Sequence, residues 1–293
     1  VEIELDYNAF KNKDWSVSVG ANATFVKNKI KNLPATMKEN GYISGSKKWL
    51  EGKSIYEFWL RQWHGVDPQT GDGLYVADVS KYNQGNIGTG DGNITQSQFD
   101  EYKKTVVTID GKELTNSYTY AKYDFSGSSI PDVYGGFNVR VSYKNFDLAA
   151  VFSYQLGGQI LDTNYATMMS MTEFGYAQSP DLLKAWKQAG DITEVPRIDN
   201  SAAHTTNIGQ SYSTRWLTSS DYLNLRSVTI GYQFPKAWLS KVMLKSARLN
   251  LTAENLFMLK ARQGLNPMAN YSGVTYNEYM PSRNITLGLN VSF

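Results

Sequence analysis

Seven stretches of the chain alternate apolar and polar residues with a period of two, and the last is the most regular. From Asn284 to Phe293, the residues Ile285, Leu287, Leu289, Val291 and Phe293 share one face, with Thr286, Gly288, Asn290 and Ser292 on the other. Such alternation predicts strands with one greasy and one wet side. The same pattern places Val1, Ile3, Leu5 and Tyr7 against Glu2, Glu4, Asp6 and Asn8, and Trp15, Val17, Val19, Ala21, Ala23 and Phe25 against their polar neighbours. It recurs with Phe137, Val139, Val141 and Tyr143, with Phe146, Leu148, Ala150, Phe152 and Tyr154, with Val228, Ile230, Tyr232 and Phe234, and with Ala247, Leu249, Leu251 and Ala253. Strands are therefore expected near 1–10, 15–25, 133–143, 146–156, 222–234, 246–258 and 284–293. Leu223 and Leu225 fall out of phase with Val228, which predicts a bulge near Arg226.

The connections alternate in length. Lys11–Asp14, Lys144–Asn145 and Pro235–Lys245 are short, whereas 26–132, 157–221 and 259–283 are long. Outer-membrane barrels sort their turns in this way, and a soluble sandwich has no reason to. Aromatics gather at the short-turn ends (Phe10 and Trp15, Tyr143 and Phe146, Phe234 and Trp238, then Phe293), as an interfacial girdle requires. Strands of about ten residues cross a bilayer when tilted. An all-β, antiparallel transmembrane barrel segment with long extracellular loops is therefore expected. Seven strands do not close such a barrel, and a lipid-exposed sheet edge is forbidden, so the chain reads as the C-terminal portion of a longer polypeptide whose plug lies elsewhere.

Composition narrows this further. Lys plus Arg number 29 against 27 acidic residues, so no basic field argues for nucleic acid. Without cysteine, disulfides and thiolate metal sites are excluded. No apolar run of about 18 residues offers a transmembrane helix. The aromatics are dominated by Tyr, 20 against 12 Phe and 7 Trp, which suits strands crossing an interface.

Several stretches, in order, resemble the SusC/RagA family of TonB-dependent outer-membrane transporters of Bacteroidetes. They are Ser54–Gly73 (SIYEFWLRQWHGVDPQTGDG), Ile130–Gly136 (IPDVYGG), Tyr143–Leu148 (YKNFDL), Asp221–Pro235 (DYLNLRSVTIGYQFP), Ala253–Phe257 (AENLF), Gly264–Pro267 (GLNP) and Pro281–Phe293 (PSRNITLGLNVSF). The resemblance implies the last seven strands of a barrel of about 22 strands around an N-terminal plug. It further implies a SusD-like lipoprotein capping the barrel outside, energy relayed by the TonB-ExbB-ExbD complex to the missing N-terminal part, and import of oligosaccharides or oligopeptides. Phe293 resembles the terminal aromatic read by the barrel-assembly machinery; a girdle role alone would also account for it.

Candidate chemistry is of the binding kind. Trp59 and Trp63, with Tyr56 and Arg61 nearby, offer stacking faces and a donor to a sugar or peptide, against the plainer reading that they pack the loop. Leu182, Leu183 and Trp186 fit a short helix within Pro180–Gly190. Trp49 and Trp216 leave both readings open. Gly90–Ile94 has the middle of a calcium loop but lacks its first ligands and its glutamate, Gln98 standing in that position, so a solvated turn is expected. His64 and His204 lie far apart, without a zinc-site pattern. No phosphate loop, nucleophile elbow or triad occurs, and neither an enzyme activity nor a cofactor is expected. Glu2, Glu4, Asp6, Arg140, Arg248 and Glu254 share the wet face, where a plug would pair them. Two other function classes fit parts of the pattern: a passive porin or adhesin barrel, and a soluble carbohydrate-binding domain or glycosidase using wet-face carboxylates. The last would leave every greasy stripe exposed.

Overall fold

The computed structural model describes residues 1–293 except 172–174, 176, 241–242 and 277. Its frame is one antiparallel sheet of seven long strands: β1 (Glu2–Lys11), β2 (Trp15–Thr24), β3 (Val133–Tyr143), β4 (Phe146–Leu156), β5 (Tyr222–Gln233), β6 (Ser246–Glu254) and β7 (Asn284–Ser292). They pair in chain order, each with its sequence neighbours. Strands β1 and β7 form the two edges.

The register keeps the greasy stripe continuous. Leu5 pairs with Ala21, Ala21 with Phe137 and Phe137 with Phe152. Farther along, Leu148 pairs with Ile230, Ile230 with Leu251 and Leu251 with Leu287. A slip of one residue anywhere would turn an entire strand over, so matched stripes fix the pairing. Most of this face is open among the described residues: Leu251 is 42% exposed, Leu287 69% and Ile285 72%, while Ala247 and Leu225 near the two ends of the sheet are buried.

At Arg226 the ladder skips a residue, since Val151 pairs with Ser227 but Phe152 with Leu225. This bulge returns Leu223 and Leu225 to the greasy side, opposite Tyr154 and Phe152. The strand expected over 246–258 is not continuous. It stops at Glu254, Asn255 turns left-handed (φ 52°), and Met258–Lys260 resumes pairing with Tyr222–Asn224. An amide side chain tolerates that conformation, and the interruption answers the extra residue in β5.

On the polar face, Arg248 grips Asp147 with two parallel bonds of 2.7 and 2.8 Å. The pair passes over Gly231, which lies between them in the sheet; a Cβ there would strike the Asp147 carboxylate and the Arg248 guanidinium. Arg248, expected to await a plug, thus has its partner within the chain. Glu254 accepts a bond of 3.2 Å from Asn284 Nδ2. Glu2, Glu4, Asp6 and Arg140 have no ion pair among the described residues.

The short-turn end is belted by rings. Trp15 and Tyr143 lie 4.3 Å apart, Phe146 and Tyr232 4.5 Å, and Tyr232 and Phe234 5.1 Å. Phe293 follows β7 and is exposed.

At the opposite end the long connections fold into a cap. It contains short sheets ordered Tyr123–Ser128, Glu57–Arg61, Lys47–Trp49, Tyr42–Ser44 and Trp63–Val66, Gly73–Val76, Lys112–Thr115, Val106–Ile109, with a third pairing of Gln159–Leu161 and Leu217–Ser219. All three long connections supply its main core: Phe58 and Leu60 from the first, Leu161, Met169 and Trp216 from the second, Val274 from the third. Smaller Ala77, Tyr82, Ile94 and Tyr102 form a second core under the helix Gln96–Thr105. Gln98 is occupied at that helix's start, where its side chain and Thr95 cap each other's backbone N–H groups. The helix expected within Pro180–Gly190 is only a 3-10 turn over Pro180–Lys184. Leu182 packs on the core while Leu183 is 80% exposed, so helical spacing does not bring the two together.

Candidate substrate-binding face

In Glu57–Arg61 the period-two rule works over five residues. Phe58 and Leu60 are fully buried in the core, which turns Trp59 and Arg61 to the other side. There Trp59 stacks on Tyr123 at 6.2 Å and meets Phe125 edge-on at 4.9 Å, with Lys48 Nζ 4.2 Å over its ring. Arg61 lies over Tyr118 and Tyr123, at 4.9 and 4.7 Å, and donates from Nε to the Tyr118 carbonyl at 3.0 Å. Trp59 and Arg61 are thus half-buried members of one cation–aromatic layer. Tyr56 takes part in none of these stacks; its carbonyl accepts Lys47 Nζ at 2.8 Å.

Lys47 is itself unusual. Its ammonium lies 3.4 Å from the centre of the Phe58 ring and reaches Ser129 Oγ at 3.2 Å. Burial pulls its pKa down to about 7, against a smaller upward pull from Glu57.

Trp63 stands apart, across a residue pair. Its backbone N–H donates to Thr214 Oγ1 at 2.9 Å and its ring meets Tyr75 edge-on at 5.1 Å. Tyr75 is fully buried, donates to the Asn207 carbonyl at 2.6 Å, and is pushed up to about 12 by burial. Trp63 also borders a cleft of about 370 Å³, with Arg215, Tyr165, Trp216 and Arg262 on its walls. No sequence pattern brings these four together: Tyr165 comes from the short helix Thr163–Met168, Arg215 and Trp216 from the turn Thr214–Trp216, and Arg262 from the third long connection. A guanidinium beside an indole in Thr214–Trp216 was the one local hint. Trp186 is spent on packing, donating from Nε1 to the Pro68 carbonyl at 3.0 Å above Gly71. Gly71 has φ +74°, and a Cβ there would collide with the indole. Trp49 meets Tyr42, and Trp216 is a core residue 2% exposed.

His64 is an exposed residue at the rim of the cleft, whereas His204 is buried elsewhere, bonded to the Arg197 carbonyl at 2.8 Å. Among the described residues, no cluster of three His, Cys, Asp or Glu side chains is placed to hold a metal.

A sheet with a largely open greasy face, short turns at its ringed end and a folded cap at the other is the architecture of a large outer-membrane barrel wall. Comparison with known proteins agrees. The chain is 26% identical over 310 residues to the TonB-dependent receptor P3 of Formosa agariphila, covering all of this chain and 28% of that protein. With TonB-dependent receptor P39 of the same organism the identity is 24% over 341 residues, covering 99% of this chain and 31% of the relative. The chain therefore spans less than a third of the length of these curated relatives. No family model matches. Among solved structures, the RagAB peptide transporter superposes with a TM-score of 0.74 at 22% identity, covering the whole chain and 29% of that one. The closed-closed state of the RagAB peptide importer gives 0.75 at 23% identity, likewise covering the whole chain and 29% of that one. The resemblance to SusC/RagA-type TonB-dependent receptors read from the sequence is borne out, and the shared fold is that of the barrel wall with its cap.

Proposed function

We propose that this chain is the C-terminal wall and part of the extracellular face of a TonB-dependent importer in the bacterial outer membrane, taking up oligosaccharides or oligopeptides. The greasy stripe then lies against acyl chains and the polar face looks into the lumen. The single observation carrying this is the uninterrupted match of stripe to stripe across seven strands, with short turns and folded connections sorted to opposite ends. Two unpaired edges in a hydrocarbon layer would leave backbone groups unsatisfied, so further strands must complete the wall.

In this reading the cap is where cargo and a SusD-like lipoprotein meet the receptor. Trp63 borders the cleft and contacts cargo directly. Trp59 and Arg61 form a stacked layer beside it, and Tyr56 helps hold the first connection in place. Phe293 serves insertion through the barrel-assembly machinery as well as the girdle. Transport energy comes from TonB through parts of the receptor outside this chain.

The test is uptake of labelled oligosaccharide or peptide by cells making the full-length receptor, with and without TonB, alongside native purification. Energy-dependent uptake and co-purification of a lipoprotein are expected. Unaided conductance through an open lumen would replace this reading with a porin, and a water-soluble full-length protein would remove the membrane altogether.

A further inference from the structure

The cleft beside Trp63 carries more specific chemistry than import alone requires. Arg215 is sandwiched between two indoles, 4.7 Å from the centre of Trp63 and 4.3 Å from that of Trp216. It donates from Nη1 to the Ile208 carbonyl at 3.1 Å. A guanidinium has five N–H donors, and no Arg215 nitrogen is buried without a partner, so the rest of the fork opens toward the cleft. Among the described residues no carboxylate lies within ion-pair distance of it. Burial lowers its pKa to about 10, which leaves it charged at neutral pH yet thinly solvated.

Arg262 enters the same cleft from the third long connection. It lies 3.6 Å over the Tyr165 ring and donates to Asp162 Oδ2 at 3.1 Å. Tyr165 in turn is edge-on to Trp216 at 5.9 Å and bonds Asp181 at 2.8 Å. One half of the cleft is thus cationic and aromatic. Among the described residues its one acidic lining residue is Glu194, an exposed side chain. At about 370 Å³ it falls in the lower part of the range for ligand pockets, about 300–1,000 Å³.

We infer that this cleft is a carboxylate subsite: the free fork of Arg215, supported by Arg262, receives an acidic group of the cargo while Trp63 stacks on the frame that carries it. Planar bidentate recognition is what a guanidinium offers and an ammonium does not. The inference rests on the import reading and narrows its cargo to acidic oligomers, whether peptides with Asp or Glu or glycans with uronic acids.

The test is titration calorimetry on the full-length receptor, with any lipoprotein that co-purifies. The probes are a glutamate-rich hexapeptide and its glutamine twin, and an oligogalacturonate and its methyl ester. One acidic probe is expected to bind at least about tenfold tighter than its neutral twin, the range of a hydrogen-bonded charge; which pair shows the preference identifies the cargo class. Arg215→Gln should bring that ratio close to one, and Arg215→Lys should keep part of it, having charge without the fork. Because Arg215 packs between two tryptophans, Arg262→Gln is the second variant, with a smaller loss expected and an amide donor left for Asp162; thermal melts of both variants check that the cap stays folded. Equal binding of acid and neutral twins, binding of no probe, or an undiminished ratio in both glutamine variants overturns the subsite. TonB-dependent uptake without acid preference would defeat the subsite alone; no energy-dependent uptake of any probe would defeat the import reading.

Discussion

The wall and the cap obey opposite rules. In the wall the large aliphatic residues are the exposed ones, as at Leu287, and order comes from backbone pairing and matched stripes. In the cap a set of large residues is dry, as at Phe58, Leu60 and Trp216, and the strands are too short to hold without that core. The difference teaches where the hydrophobic effect acts: inside the cap, and in the wall only once a bilayer supplies the apolar phase.

The largest effect should therefore come from the cap core. Trp216→Ala removes a fully packed indole shared by all three long connections and should cost the cap about 3–5 kcal/mol. Limited proteolysis of the full-length protein should show early cleavage in 157–221 with the wall intact. Simultaneous loss of wall and cap would show that the two are one cooperative unit.

Next comes Leu287→Arg. At a lipid-facing midplane position it should cost about 2–4 kcal/mol, read as reduced folding yield into liposomes. A change of less than about 0.5 kcal/mol is what an ordinary water-exposed site would give, and would break the comparison.

A third effect, read through pH rather than through loss of a side chain, concerns Lys47. Its folded pKa of about 7 lies below the ordinary 10.5, so between those values the unfolded chain holds a proton the folded one has lost. Cap stability should accordingly rise as pH increases from 7 toward 10, and below 7 the cost of the buried cation should be fully present. Lys47→Met should flatten that slope in thermal melts; an unchanged slope would assign it to other groups.

The same contrast explains what could be read from sequence. Period-two alternation over ten residues is a strong signal, and its phase change before Val228 locates the bulge at Arg226. The break at Asn255 carries no such signal, because it answers an irregularity on the neighbouring strand. In the cap, Glu57–Arg61 alternates for only five residues, too few to stand out. Trp59 and Trp63 were visible as aromatics in a loop, yet their different surroundings depend on partners such as Tyr123 and Arg215, distant in sequence. Arg262 meets Tyr165 across nearly a hundred residues, a juxtaposition made by the core alone.

The most direct test of the central claim is a nitroxide scan of β7 in the full-length protein reconstituted in a bilayer. Labels at 285, 287 and 289 should collide with oxygen dissolved in lipid, and labels at 286, 288 and 290 with a water-soluble nickel reagent, alternating residue by residue. Uniform access to the aqueous reagent along the strand would mean that the greasy stripe meets no membrane.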